Sequence, residues 1–188
     1  MPLGLMSLRV FAALPAPEPI VDAAADLMDQ VPGAKWRPLE NLHVTLAFYG
    51  ELDEPVIEEL DHELAAISCP PFAWRLKGVG RFGKAEPHAL WAGVEAGPEL
   101  TDLARRCRKA GGRAGVEMER RAFIPHLTLA YLERGVDPVR VQRFEQRWSM
   151  LETEPVMADR FHLYASHNRK PGQPNLYEAV ADYPLAGR

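Results

Sequence analysis

The sequence predicts an α+β protein made of two related halves that face one central cleft. The tetrapeptide His-x-Thr-Leu occurs at His43 and again at His126, 83 positions later. Each copy lies in a run of alternating apolar residues, which is typical of a β-strand with one buried face. The order strand, helix, His-x-Thr strand, helix, strand occurs twice. The chain therefore contains an internal duplication of about 80 residues, which predicts two pseudo-symmetric halves.

The first half covers about residues 8–80. Its predicted elements are a strand at 8–14, a helix at 20–30, the first motif strand up to Gly50, a helix at 55–67 and a strand at 72–79. Pro32-Gly33 is expected to close the first helix, because neither residue continues a helix well. Pro55 fits the first turn of the second helix, where its missing N–H costs nothing.

The second half, about residues 88–166, repeats this order. Its predicted elements are a strand at 88–94, a helix at 98–110, the second motif strand at 122–132, a helix at 138–148 and a strand at 161–165, followed by a C-terminal strand at about 176–181. Gly111-Gly112 is expected to end the helix that Pro98 opens. Trp91 lies 81 positions after Val10, which aligns the first strands of the two halves. We expect residues 1–188 to form a single domain.

The strand period of two places the polar motif residues together. In the first copy, His43 and Thr45 share a face, and Val44, Leu46 and Phe48 share the other. The second copy has the same parity. If both polar faces line one cleft, two imidazoles and two hydroxyls surround a common space. Neutral and protonated imidazole are both accessible near pH 7, so such a pair can act as acid and base, with a bell-shaped pH dependence.

The composition restricts the functional classes. The 188 residues carry a net charge of −4, which does not suit a protein that coats nucleic acid through bulk charge, although a small basic cleft remains compatible. Two cysteines without a CxxC spacing indicate neither a disulfide framework nor a cysteine metal site. We expect no signal peptide, and no apolar run in the sequence is long enough to span a membrane. We therefore expect a cytoplasmic protein that needs no metal.

Cationic and aromatic residues near the motifs are candidates for contacts with RNA. They are Arg81, Phe82, Arg121 and Arg169, with Arg81 and Arg121 as first choices. Each of these residues could equally belong to a solvated loop.

The motifs resemble those of a known family. His43-Val44-Thr45-Leu46 and His126-Leu127-Thr128-Leu129 look like the paired motifs of the two-histidine (2H) phosphoesterase superfamily. The stretches 8–14, 41–50, 123–130, 175–177 and 183–185 look like the bacterial and archaeal RNA 2′,3′-cyclic phosphodiesterases, also called 2′-5′ RNA ligases. The resemblance covers essentially the whole chain.

This resemblance implies a bilobal α+β fold with two antiparallel sheets and a central cleft. It also implies hydrolysis of RNA 2′,3′-cyclic phosphate ends to 2′-phosphomonoesters without metal or cofactor, with 2′-5′ ligation as the reverse reaction. By the same resemblance, His43 is the proton donor, His126 is the proton acceptor, and Thr45 and Thr128 bind phosphate oxygens. The residues alone do not distinguish the donor from the acceptor.

Two positions depart from the family pattern. The family often has a lysine after the first motif and an arginine two residues after the second, where this chain has Ala47 and Tyr131. The phosphate charge must then be neutralised from elsewhere, or substrate preference differs. Two alternative functions stay open, namely another 2H activity, on 2′-5′ linkages or small cyclic nucleotides, and a non-catalytic module that binds RNA ends. The expected partner is an RNA end or a small cyclic nucleotide, bound by a monomer away from any membrane.

Overall fold

The strands of the protein form one antiparallel sheet, and α-helices cover it. The computed structural model describes residues 7–29 and 31–187. Within these ranges the strands are β1 (Ser7–Pro15), β2 (Ala34–Trp36), β3 (His43–Asp53), β4 (Phe72–Phe82), β5 (Ala89–Ala96), β6 (His126–Leu132), β7 (Val156–Ala158), β8 (Arg160–His167) and β9 (Leu176–Pro184). The helices are α1 (Glu18–Ala25), α2 (Glu54–Ala65), α3 (Pro98–Arg113) and α4 (Pro138–Arg147).

The two motif strands meet at the centre of the sheet. The strand order is β7-β4-β5-β6-β3-β1-β8-β9, with β2 paired to β6. β3 and β6 share a single register pair, Val44 with Leu127, so two groups of strands diverge from this point. The predicted α+β class and antiparallel strands are confirmed. The two expected sheets are joined through this one pair into a continuous sheet.

The two halves of the sequence exchange one strand. β4, from the first half of the chain, pairs with β5, and β8, from the second half, pairs with β1. Residues 83–88 are a short connection that lets β4 and β5 form a hairpin, and consecutive strands usually pair in this way. The spatial halves therefore differ from the contiguous segments 8–80 and 88–166 that the sequence repeat suggested.

Both motif strands carry a β-bulge at the same place. The register skips Leu46 in β3 and Leu129 in β6, in each case the residue that follows the motif threonine. Because one extra residue reverses the alternation of faces, Phe48 is 44% exposed. The prediction that Phe48 lies on the buried face was wrong for this reason. The residue at the equivalent position of β6 is Tyr131, which is 49% exposed.

The register also corrects the alignment of the first strands. Ala13 pairs with Thr45, and Trp91 pairs with Thr128. Trp91 is therefore the counterpart of Ala13 rather than of Val10. Strand pairing determines this correspondence, and a comparison of sequence offsets missed it by three residues.

Several predicted boundaries were also wrong. α1 ends at Ala25, and position 30, where it was expected to end, lies outside the described residues. β3 continues beyond Gly50 to Asp53, and β6 begins only at His126. The helix α3 runs through Gly111-Gly112 to Arg113, and Gly111 lies where a side chain would collide with the ring of Tyr49. Close packing, rather than a helix end, explains this glycine.

The core lies on the face of the sheet opposite the polar motif residues. Val44 and Leu127, which join the two motif strands, are fully buried, as are Trp74 in β4 and Phe161 in β8. The helices α2 and α3 contact each other and β3 on this side. In the part of the chain that the structure describes, no helix is long and apolar enough to cross a membrane.

Candidate active site

The pairing of β3 with β6 brings the four predicted motif residues together. Because the strands are antiparallel around the pair of Val44 and Leu127, His43 is opposite Thr128 and Thr45 is opposite His126. Directly opposed Cβ atoms in such a pair are about 4.5–5.5 Å apart, and diagonal ones about 7–8 Å. The two histidines are the diagonal pair on neighbouring strands, close enough for the charge of His126 to act on His43.

Backbone carbonyls hold both imidazoles in the same way. His43 Nδ1 is 2.7 Å from the carbonyl oxygen of Asn41, and His126 Nδ1 is 2.6 Å from that of Ile124. A carbonyl only accepts, so Nδ1 carries the proton and Nε2 is left as the reactive nitrogen. Thr45 Oγ1 lies 3.1 Å from His43 Nε2 and donates to it when the ring is neutral.

Three aromatic rings surround His43. The ring centroid of Phe11 is 4.9 Å away, that of Tyr177 5.4 Å and that of Tyr164 6.2 Å. Burial lowers the pKa of His43 to about 4, because the imidazolium loses its water. The carbonyl of Asn41 opposes this shift, and the charge of Arg37 and, where it is protonated, that of His126 add to it. The ring is therefore neutral at pH 7 in the free protein.

Two aromatic rings contact His126. Phe82 meets it edge to face at 4.9 Å, and the Trp91 centroid is 6.4 Å away. Its strand neighbour in β5 is Gly93, which places no side chain beside the ring. Burial again lowers the pKa of His126, and the carbonyl of Ile124 opposes the shift.

A cleft of about 400 Å³ opens along the His43 side of this centre. The side chains that line it are Arg9, Phe11, Arg37, Asn41, His43, Thr45, Phe48, Thr128, Tyr131, Ser166, Gln173, Pro174, Asn175 and Tyr177. None of these described residues is acidic. The ring of His126 is absent from this set and is contacted by Phe82 and Trp91 instead. The lining is thus cationic and aromatic, although the whole chain is acidic.

Two arginines in the cleft were not predicted. The guanidinium of Arg9 lies 5.0 Å from the ring centroid of Phe48. That of Arg37 lies 5.3 Å from the Tyr131 ring and 5.4 Å from the Tyr177 ring, and its Nη2 donates to Tyr177 Oη at 2.9 Å. The alternation of β1 could have placed Arg9 on the same face as Phe11. No local pattern marks Arg37, which follows the short strand β2.

A buried amide connects the first motif to the loop 168–175. Asn41 is only 6% exposed, and its Nδ2 donates to the carbonyl oxygen of Asn175 at 2.9 Å. Asn175 Nδ2 donates in turn to Ser166 Oγ at 3.1 Å. Asn41 therefore holds both the His43 ring, through its carbonyl, and the loop that borders the cleft.

Of the predicted RNA-contacting residues, the structure brings only Phe82 to the motif histidines. Arg81 points to the other face of β4 and forms an ion pair with Glu145 at 3.6 Å. Arg121 is 82% exposed beside Glu119, and Arg169 lies exposed on the loop 168–175 without lining the cleft. Among the described residues, no three His, Cys, Asp or Glu side chains are grouped so that they could hold a metal ion.

Comparisons with known proteins give a consistent family. The family model described as the 2′-5′ RNA ligase superfamily matches residues 15–170. The RNA 2′,3′-cyclic phosphodiesterase of Thermotoga maritima is 30% identical over 172 residues, which cover 85% of this chain and 87% of that protein. The protein of the same name from Bacillus subtilis is 30% identical over 185 residues, which cover 94% and 96%.

Solved structures share the fold. LigT of E. coli, crystallised with 3′-AMP, aligns with a TM-score of 0.76 at 23% identity over 96% of this chain and 99% of that one. The protein TT0787 of Thermus thermophilus aligns with a TM-score of 0.76 at 24% identity over the same shares. At these identities the likeness concerns the fold alone.

Proposed function

Because this chain belongs to the 2′-5′ RNA ligase superfamily, we propose that it is an RNA 2′,3′-cyclic phosphodiesterase. It hydrolyses the cyclic phosphate at an RNA end to a 2′-phosphomonoester, and 2′-5′ ligation is the reverse of this ring opening. The observation that carries the proposal is the meeting of the two motifs, with His43 opposite Thr128 and Thr45 opposite His126. We further propose that it acts as a cytoplasmic monomer.

The proposed reaction uses one imidazole on each side of the phosphorus. His126 Nε2 takes a proton from water, the water oxygen forms a bond to phosphorus, and the bond from phosphorus to O3′ breaks. His43 Nε2 gives its proton to O3′ as this oxygen leaves. A positioned acid or base of this kind contributes roughly 10² to 10⁴-fold to the rate. The hydroxyls of Thr45 and Thr128 donate to the non-bridging oxygens, where negative charge is held.

The lowered pKa values fit an anionic substrate. Both imidazoles are neutral at pH 7 in the free protein, yet the proton donor must begin the reaction protonated. A phosphodiester bound between the rings carries a negative charge, which favours the imidazolium and raises its pKa. The substrate and the catalytic proton are therefore taken up together. Once protonated, a buried imidazolium releases its proton to O3′ readily.

End-group analysis tests the activity itself. A short RNA with a 2′,3′-cyclic phosphate end, incubated with the protein in EDTA, should gain one water and carry a 2′-phosphate by NMR. Parallel reactions with nucleoside 2′,3′-cyclic phosphates and with 2′-5′-linked oligomers compare the other 2H activities. If the RNA binds but yields no product at any pH from 5 to 9, the protein is an RNA-end binding module and the enzyme proposal is wrong.

A sulfur leaving group tests the roles of the two histidines. Thiolate departs without a proton donor, so a substrate with sulfur at the 3′ position should restore much of the activity that His43→Ala loses. It should not restore activity to His126→Ala, which lacks the base. Restoration of the His126 variant alone would reverse the assignment of donor and acceptor.

A further inference from the structure

We propose that Arg37 binds the phosphodiester next to the reacting phosphate, and thereby makes the site prefer the end of an RNA chain over a cyclic mononucleotide. This inference rests on the proposed function and concerns the selection of its substrate.

Arg37 is a cation of the cleft that has no acidic partner among the described residues. Its guanidinium contacts the rings of Tyr131 and Tyr177 and the hydroxyl of Tyr177, and the described cleft lining contains no Asp or Glu. Several other arginines, by contrast, pair with carboxylates, as Arg81 does with Glu145 and Arg113 with Glu63. A half-buried guanidinium without a counterion favours an anion from outside the protein.

The geometry keeps the guanidinium in place. The backbone N–H of Arg37 donates to the carbonyl oxygen of Leu129 at 2.8 Å, which ties the residue to the second motif strand. The rings of Tyr131 and Tyr177 contact the guanidinium, and Tyr177 Oη uses one of its five N–H groups. Other N–H groups stay available for a phosphate, which a planar guanidinium can bind through two parallel hydrogen bonds.

The distance along β6 indicates a second phosphate. Tyr131 follows Thr128 by three residues, and because the bulge at Leu129 takes up one of them, the two residues are about 7 Å apart along the strand. Thr128 belongs to the reacting centre, so a cation over Tyr131 lies to one side of that centre, in the same cleft, where the next phosphate of a polynucleotide can reach it. Arg37 also supplies positive charge at Tyr131, the place where the family often has an arginine. In this chain the positive charge beside Tyr131 comes from Arg37, which follows β2, instead of from a residue of β6.

Substrate discrimination provides the test. The ratio of kcat/KM for a dinucleotide with a 2′,3′-cyclic phosphate end to kcat/KM for the nucleoside 2′,3′-cyclic phosphate is measured for each variant. Arg37→Ala should lower this ratio about 10- to 100-fold, the worth of a hydrogen bond to a charged group. Arg37→Lys keeps the charge and loses the planar fork, so its ratio should lie between that of the unmodified protein and that of Arg37→Ala. The dinucleotide arm should also lose part of its salt dependence in Arg37→Ala, because one phosphate contact is gone.

The matched control is Lys35→Ala. Lys35 lies on the same short segment, but it pairs with Glu133 at 3.2 Å and is 70% exposed outside the cleft, so its removal should leave the ratio unchanged. Tyr131→Leu removes one ring from Arg37 without touching His43 and should lower the ratio less than Arg37→Ala does.

The outcomes separate this inference from the proposed function. If Arg37→Ala loses activity equally on both substrates, Arg37 does not bind a second phosphate and the inference is wrong. If the unmodified protein turns over neither substrate, the proposed function itself is wrong, whatever Arg37 binds. Circular dichroism of every variant shows whether a loss comes from unfolding.

Discussion

The two His-x-Thr half-sites begin from the same local structure and end in different surroundings. In both, a carbonyl two residues earlier holds Nδ1, and a bulge follows the threonine. Tyr164 beside His43 and Phe82 beside His126 are counterparts, because they hold equivalent register positions on the two exchanged strands, β8 and β4. Only His43, however, has a third ring against it, that of Tyr177.

The cause of the difference is β9. It pairs with β8 along its whole length, from Arg160 to His167, and brings Tyr177 and the loop 168–175 over the first motif. Its counterpart at the other edge, β7, pairs only with Phe72–Trp74, at the end of β4 far from Phe82. Duplicated motifs thus supply matching reactive groups, and one added strand makes one of them more buried. The greater burial makes His43 the harder of the two imidazoles to protonate in the free protein.

Removal of each imidazole should have the largest effect. We expect His43→Ala and His126→Ala each to lower kcat by about 10² to 10⁴-fold at pH 7, because each removes a positioned acid or base. Steady-state assays on the cyclic-phosphate RNA measure this loss, and far-UV circular dichroism should stay unchanged. His62→Ala, on the surface of α2, is the control and should retain full activity. Unequal losses would quantify the asymmetry, and loss of folding would mean that a motif histidine is structural.

The two motif histidines should contribute differently to the dependence of stability on pH. Folding lowers the pKa of His43 from 6.5 to about 4, so the unfolded chain binds a proton between these values that the folded chain does not. The stabilising contribution is therefore present above pH 6.5 and is lost as the pH falls toward 4, about 2 kcal/mol by pH 5. Urea unfolding at pH 7 and pH 5 measures it.

The variant His43→Gln should reduce the acid sensitivity, and His126→Gln should reduce it less, since fewer rings surround His126. An equal reduction in both variants would contradict the view that β9 makes the half-sites unlike. NMR titration of the two imidazoles provides an independent measurement, with the His43 signal expected to titrate at the more acidic pH.

The smallest expected effect concerns Asn41 and Ile124, each of which lies two residues before a motif histidine. Asn41 and Ile124 provide equivalent carbonyls, but only the Asn41 side chain is buried and bonded to Asn175. Asn41→Ala should cost about 1 kcal/mol in the free energy of unfolding and should speed hydrogen exchange in the loop 168–175. Ile124→Ala, at a side chain that is 51% exposed, should change stability by less than about 0.5 kcal/mol. Equal costs would show that the loop is held by other contacts.

The sequence by itself determined the motif, its duplication and the class of chemistry. Strand period and residue type are local properties, so the shared face of His43 and Thr45 could be predicted from the order of residues alone. The family likeness and the α+β class followed from the same repeated pattern. Phe82 was a candidate because of its aromatic residue type, and the pairing of β4 with β5 and of β5 with β6 places it near the second motif.

The tertiary structure decided which cations reach the cleft and how the half-sites differ. Arg37 enters it because β2 pairs with β6, which lies far along the chain, whereas the predicted Arg81 points to a helix. Bulges moved Phe48 to the open face, and the exchange of β4 with β8 rearranged the halves. Long-range pairing sets register, and a shift of one residue in register moves a side chain to the other side of a sheet. No local sequence pattern specifies the register between distant strands, so the register is visible only in the folded chain.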